Sequence, residues 1–246
     1  MLIPHIRISS GYGVFYLNSL MKRKELNSLL EKYNENKIFR AIINAVPYIG
    51  GSLDTLMTSD IQKKSMERFE NFINLFSKEI SEIKQDKLDY NFLKSEEFYD
   101  LYIQTLNLVI KTRLREKIRA YSKILASSLI TETQNEINPE DIVNIIGNLT
   151  ETHILWIKEI AKYQKSENPK TINKTIIFKA GTFDKFTKEY SLFGLIGLLN
   201  NNLIIRHPAT GSAHVAEIYY STTTVFKTIE SFLLDDIPDS SEIFSI

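Results

Sequence analysis

The sequence predicts a mainly α protein, an N-terminal multi-helix bundle followed by a small α+β winged-helix-like module. Three observations carry that prediction. From Asn18 to about residue 164, apolar residues recur at steps of three and four, with cap-type residues at the breaks. Beyond about Lys165 the texture changes to short β-branched runs between small helices, in the order helix, short strand, helix, helix, hairpin, helix. Apolar residues make up 43% and charged residues 24% of 246, the balance of a folded chain with a real core.

Residues 1–36 read as an arm and a first helix. Leu20, Leu26, Leu29, Leu30 and Tyr33 hold helical spacing until "NEN" at 34–36. The bundle domain is expected over 37–150. Its first short helix starts at Lys37 and runs into Pro47, within "INAVPYIGGSLDTLM". This stretch predicts a helical hairpin turn. Pro47 ends one helix, Gly50 and Gly51 permit a reversal, and Ser52 caps the next helix with Asp54 in its first turn. A phosphate loop is excluded, because no Lys-Ser/Thr follows the glycines and Asp54 would repel phosphate. The uncharged run Ala41–Leu53 covers 13 residues, enough to enter a membrane surface shallowly and too few to span it.

Ser59 opens "SDIQ", a capping box with Gln62, and Phe69, Phe72, Ile73, Phe76, Ile80 and Ile83 behind it mark one buried helix face. "QDKLDYN" breaks that helix. Ser95 with Glu96 and Glu97 starts the next, expected to run from Glu96 to about Ile130 with a bend near Lys111–Thr112. "NPED" at 138–141 is a further start, with Asn138 as cap and Pro139 in the first turn. Trp156 lies on the helix after "LTETH".

The winged-helix-like module is expected over 151–234. It holds a polar loop ("QKSENPKTINKT"), a short strand ("TIIF", 175–178) and an apolar helix ("SLFGLIGLLNNN"). Two strands then flank a turn at Gly211, and "STTTVFKTIESFLL" closes the module as an amphipathic helix. Residues 235–246 form an acidic tail.

Thirty basic and thirty acidic residues give no net charge, so any polyanion binding must rest on a local patch. The absence of cysteine excludes disulfides, thiolate metal sites and thiol nucleophiles. The first residues lack the pattern of a secretion signal, and the longest uncharged apolar window, Tyr190–Ile205, has 16 residues including three asparagines. A membrane span needs about 20 apolar residues. The expected setting is therefore the cytoplasm, where the sequons at Asn148 and Asn173 carry no meaning.

The sharpest polar feature is "KTRLREKIRAYSK", with six basic residues and one acid between Lys111 and Lys123. On one helix Lys111, Arg115, Arg119 and Lys123 would form a continuous stripe. Like charges at that spacing disfavour a helix by about 0.2–0.5 kcal/mol per pair, so something should offset them. Acidic neighbours ("SEEFYD" at 95–100, "ETQNE" at 132–136) are one answer, and a phosphate-bearing or acidic partner is the other.

The order of the C-terminal elements invites a DNA reading, and the residue types oppose it. Leu192, Phe193, Leu195, Ile196, Leu198 and Leu199 leave little to contact base edges. They are expected to pack on the Trp156 helix and the closing helix, with Gly194 and Gly197 allowing close approach. Weak, non-specific contact with nucleic acid is the most that follows. Catalysis has little footing: no nucleophile elbow is present, and His207 and His214 flank the hairpin turn with only Glu217 near. No metal and no cofactor are expected. His153, between Leu149 and Ile157, reads as structural.

The succession "VPYIGGSLD", "ERFENF", "KTRLREKIRAYSKIL", "LTETHILWIKEI" and "YYSTTTVFKTIESFLL" resembles bacterial proteins known as abortive infection protein alpha, over roughly Phe39 to Leu234. The resemblance implies a cytoplasmic protein linked to phage resistance and brings no catalytic residues. The resulting expectation is a non-enzymatic interaction or effector protein with a protein partner or self-association. A winged-helix transcriptional regulator and a membrane-disrupting death effector are the alternatives.

Overall fold

The computed structural model describes residues 60–130, 137–172, 175–183, 188–207 and 218–234. Within them the chain is mainly helical, with seven α-helices and two short antiparallel hairpin pairings toward the C-terminus. The Pro47, Gly50, Gly51 and Asp54 turn, Ser59, the Gly211 turn with His214 and Glu217, and the acidic tail lie outside the described residues.

Helix α1 (Asp60–Glu82) buries Phe72, Ile73, Phe76 and Ile80, the face expected from its spacing. Phe72 and Phe76 stack with ring centroids 5.8 Å apart. The break that follows is ordered by Asp89, whose carboxylate accepts the backbone N–H groups of Asn91 and Phe92 at 2.9 Å. Ser95 caps α2 (Glu96–Lys111) by accepting from the Phe98 N–H at 3.1 Å.

The long helix expected from Glu96 to about Ile130 is in fact two. Thr112 is extended (φ −84°, ψ 138°), and its hydroxyl accepts the Leu114 N–H at 3.2 Å, so the side chain supplies a local alternative to the helical ladder. Helix α3 (Arg115–Ser128) then starts at Leu114 without a side-chain cap. This helix is the hub: α1, α2, α4 and α7 all pack on it. Helix α4 (Pro139–Asn148) is capped by Asn138, which accepts the Glu140 N–H at 2.9 Å, with Pro139 in its first turn. Helix α5 (Glu151–Gln164) starts in a capping box. Thr150 accepts the His153 N–H, and His153 Nδ1 accepts the Thr150 N–H at 3.1 Å.

Strands β1 (Thr171–Ile172) and β2 (Thr175–Ile176) pair in register Thr171 with Ile176. After a 3₁₀ turn at Ala180–Thr182 comes helix α6 (Lys188–Asn200), which packs on α5 and on β3 (Ile204–Arg206). Its end explains the asparagines. Asn202 sits at positive φ (56°), the Leu203 N–H reaches the Leu198 carbonyl, and the Asn202 N–H reaches that of Leu199. This is a Schellman closure, with Leu198 and Leu203 both buried beneath it. Strand β3 pairs with β4 (Tyr220–Thr222), and Phe178 bridges Tyr220 on the other edge of β4. Helix α7 (Thr224–Leu234) packs on α3 and α5. One cluster of buried side chains runs from Phe72 to Leu233, continuous across residue 150.

The two glycines of α6 do what close approach requires. A Cβ on Gly194 would lie under 3.0 Å from the Trp156 indole, and one on Gly197 under 3.0 Å from the His153 ring. Leu195 and Leu198 are buried as expected. Phe193 and Ile196 are not: they stand 75% and 51% exposed, because the glycine face, about a third of a turn away, is the one turned to α5.

Candidate functional site

The break between α2 and α3 divides the expected basic stripe. Lys111 ends one helix, while Arg115, Arg119 and Lys123 lie on the next, so the four do not form one continuous row. The residues that the break does bring together are Lys111, Arg113 and Lys117. With Leu108, Thr112, Leu114, Tyr121, Gly147 and Glu151 they line a hollow of about 390 Å³. Lys117 is two residues from both Arg115 and Arg119, so it points to the opposite side of α3 from them.

Lys117 is the unusual member. Only 5% exposed, it donates from Nζ to the Gly147 carbonyl at 2.9 Å, at the C-terminal end of α4. That end of the helix macrodipole is negative and favours a cation. No carboxylate pairs with Lys117 among the described residues, and burial lowers its pKa to about 8. An ammonium has three donors, and a single acceptor is identified. Above it, Arg113 meets Glu151 at 3.2 Å, both largely exposed. Lys111 and Arg115 are exposed and make no ion pair among the described residues.

One residue before Lys117 on α3, Glu116 pairs with Lys158 of α5 at 3.1 Å, both about one-third exposed. Burial opposes ionisation of Glu116, but its own backbone N–H, the Lys158 bond and the nearby Arg119 charge together hold its pKa below the ordinary value. His153 is half-buried, and its pKa is lowered by burial first and by the Lys117 charge second. Its neutral ring is what the capping box needs, since Nδ1 must accept.

Sequence reasoning singled out the charge run and missed Lys117 as its distinctive member. The available signal was position: on α3 Lys117 falls between Leu114, Ile118 and Tyr121, on the inward side. A second constellation also went unseen. His207 Nε2 lies 2.8 Å from the Ser221 hydroxyl across β3 and β4. Ser221 is only 2% exposed, so the pair is a cross-strand tie with no room for a substrate. Among the described residues no cluster of His, Asp and Glu could hold a metal, and no helix is long and apolar enough to cross a membrane. No protein-family model, no curated protein and no solved structure matches this chain.

Proposed function

We propose that the chain is a non-enzymatic interaction protein of bacterial phage defence, of the abortive infection type, and that it holds an anionic partner on the cationic turn between α2 and α3. The observation that carries this reading is the group Lys111, Arg113 and Arg115. Three exposed cations fall within five residues of a chain whose net charge is zero, and two of them make no ion pair among the described residues. The defence setting and the cytoplasmic location rest on the family resemblance. A protein partner accords with Phe193 and Ile196, which stand out on α6. The same two side chains weigh against base readout by that helix, because they offer bases no hydrogen bonds.

The test is phage challenge. Cells expressing the wild-type chain should plate at least one phage of a broad panel less efficiently than empty-vector cells. The double variant Lys111→Gln/Arg115→Gln should restore plating while its thermal midpoint stays within a few degrees of wild type. Protection by the variant equal to wild type, or no protection by either across the panel, would reject the reading.

A further inference from the structure

We infer that the hollow between the α2–α3 turn, the end of α4 and the start of α5 is a binding site for the phosphate of a small phosphomonoester, with Lys117 as its deep donor and Arg113 and Lys111 at its mouth. The inference rests on reading the cationic turn as a binding surface, and it names the chemical class held there.

Three features of the site argue for it. The first is Lys117 itself. A buried ammonium bound to one carbonyl keeps donor capacity, and a phosphate oxygen in the hollow would complete it with a charge-assisted bond. The second is the charge of the lining. Three cations face one carboxylate, and a phosphomonoester dianion balances that excess where a carboxylate ligand would leave a surplus. The Arg113–Glu151 pair is exposed and weak, so Arg113 can turn to a ligand without a large loss. The third is size. About 390 Å³ exceeds what one phosphate fills, and the remaining wall of Leu108, Leu114 and Tyr121 suits an organic body.

Titration calorimetry on the full chain at constant ionic strength tests this with four probes: inorganic phosphate, ribose 5-phosphate, ribose and acetate. Saturable one-to-one binding is expected for the two phosphates, with ribose 5-phosphate the tighter. Ribose should not bind, and acetate should bind more weakly than phosphate. Lys117→Met should weaken phosphate binding at least about tenfold, the order expected for a charged hydrogen bond. Arg113→Gln, a substitution at an exposed position, should weaken it several-fold, and Lys162→Gln on the outside of α5 should leave it unchanged. Phosphate should also move the His153 titration upward, because it offsets the Lys117 charge that His153 feels.

Absence of saturable phosphate binding, equal binding by Lys117→Met, or acetate tighter than phosphate would each overturn the inference. The measurement uses purified protein and needs no phage. Phosphate binding that survives alongside a null plating result would therefore reject the defence reading and leave the site standing.

Discussion

Gly194→Ala is the sharpest perturbation the fold offers, because two known effects oppose each other in sign. In a helix interior Ala is favoured over Gly by about 1 kcal/mol. Against this, the new methyl would lie under 3.0 Å from Nε1 and Cδ1 of Trp156, a side chain with 0% exposure that also meets Phe183 edge-on at 5.1 Å. The indole has nowhere to move, so α5 and α6 must separate. Overpacking of this kind costs roughly 1–3 kcal/mol, toward the upper end where the neighbour is a rigid ring. The net loss is then about 1–2 kcal/mol, or about 2–8 °C in thermal midpoint for a domain of this length. Gly147→Ala is the control. Its methyl would meet the Leu108 methyl tips at 3.3 Å, which can rotate aside, and the Tyr121 hydroxyl at an ordinary 3.7 Å, so the helical gain should dominate and the midpoint should rise by a few degrees. Trp156 is the only tryptophan in the chain, so its emission reports the contact directly and should shift to the red in Gly194→Ala alone. If Gly194→Ala melts as high as Gly147→Ala with unchanged emission, the α5–α6 contact is not the close one described.

Further substitutions follow from the burial pattern. Tyr102 is 1% exposed and its hydroxyl has no hydrogen-bond partner among the described residues, so Tyr102→Phe should raise the midpoint by about 1–3 °C; a fall of that size would reveal a partner. Lys117 has a folded-state pKa of about 8 against an ordinary 10.5, so its stabilising contribution is full above 10.5 and is lost as pH falls through 8. Lys117→Met should therefore lose ground to wild type as pH rises from 8 to 10.5, where wild type gains stability that the variant cannot; a constant gap would show no shift. The His153 pKa is lowered from 6.5, so its contribution is present above 6.5 and is lost as pH falls through the lower folded value. His153→Gln can keep the capping box and should flatten that acid slope, as melts from pH 7 to 4.5 would show.

The starts of α2 and α4 were legible because their caps act locally. Ser95 and Asn138 accept the N–H groups that their positions predict, and the apolar face of α1 is buried as its spacing requires. The division of α2 from α3 was legible only as a bend. Leu114 carries no cap signal, and one hydroxyl, that of Thr112, sets the break through a bond to the Leu114 N–H that other threonines in helices forgo. The capping box of α5 escaped because histidine, not Glu or Gln, stands at its third position. The hollow is non-local. It needs Gly147 and Glu151 beside Lys117, and no spacing within "KTRLREKIRAYSK" states that the end of α4 lies there. Periodicity also treated all six large apolar residues of 192–199 alike. Which of them face outward depended on two glycines that meet a tryptophan and a histidine about 40 positions earlier.

The hub position of α3 has a consequence for how the protein is made. Its partners include α1, which precedes it, and α7, the last described element to leave the ribosome. Until Phe226, Ile229 and Leu233 have emerged, the side of α3 that α7 covers has no lid, although the helix itself was synthesised about a hundred residues earlier. At 5–20 residues per second that is an interval of roughly 5–20 s in which an apolar surface faces the cell. A stalled or truncated chain that lacks α7 would remain in that condition and offer itself to chaperones and proteases. Completed translation, more than any local helix, is what hides the centre of this fold.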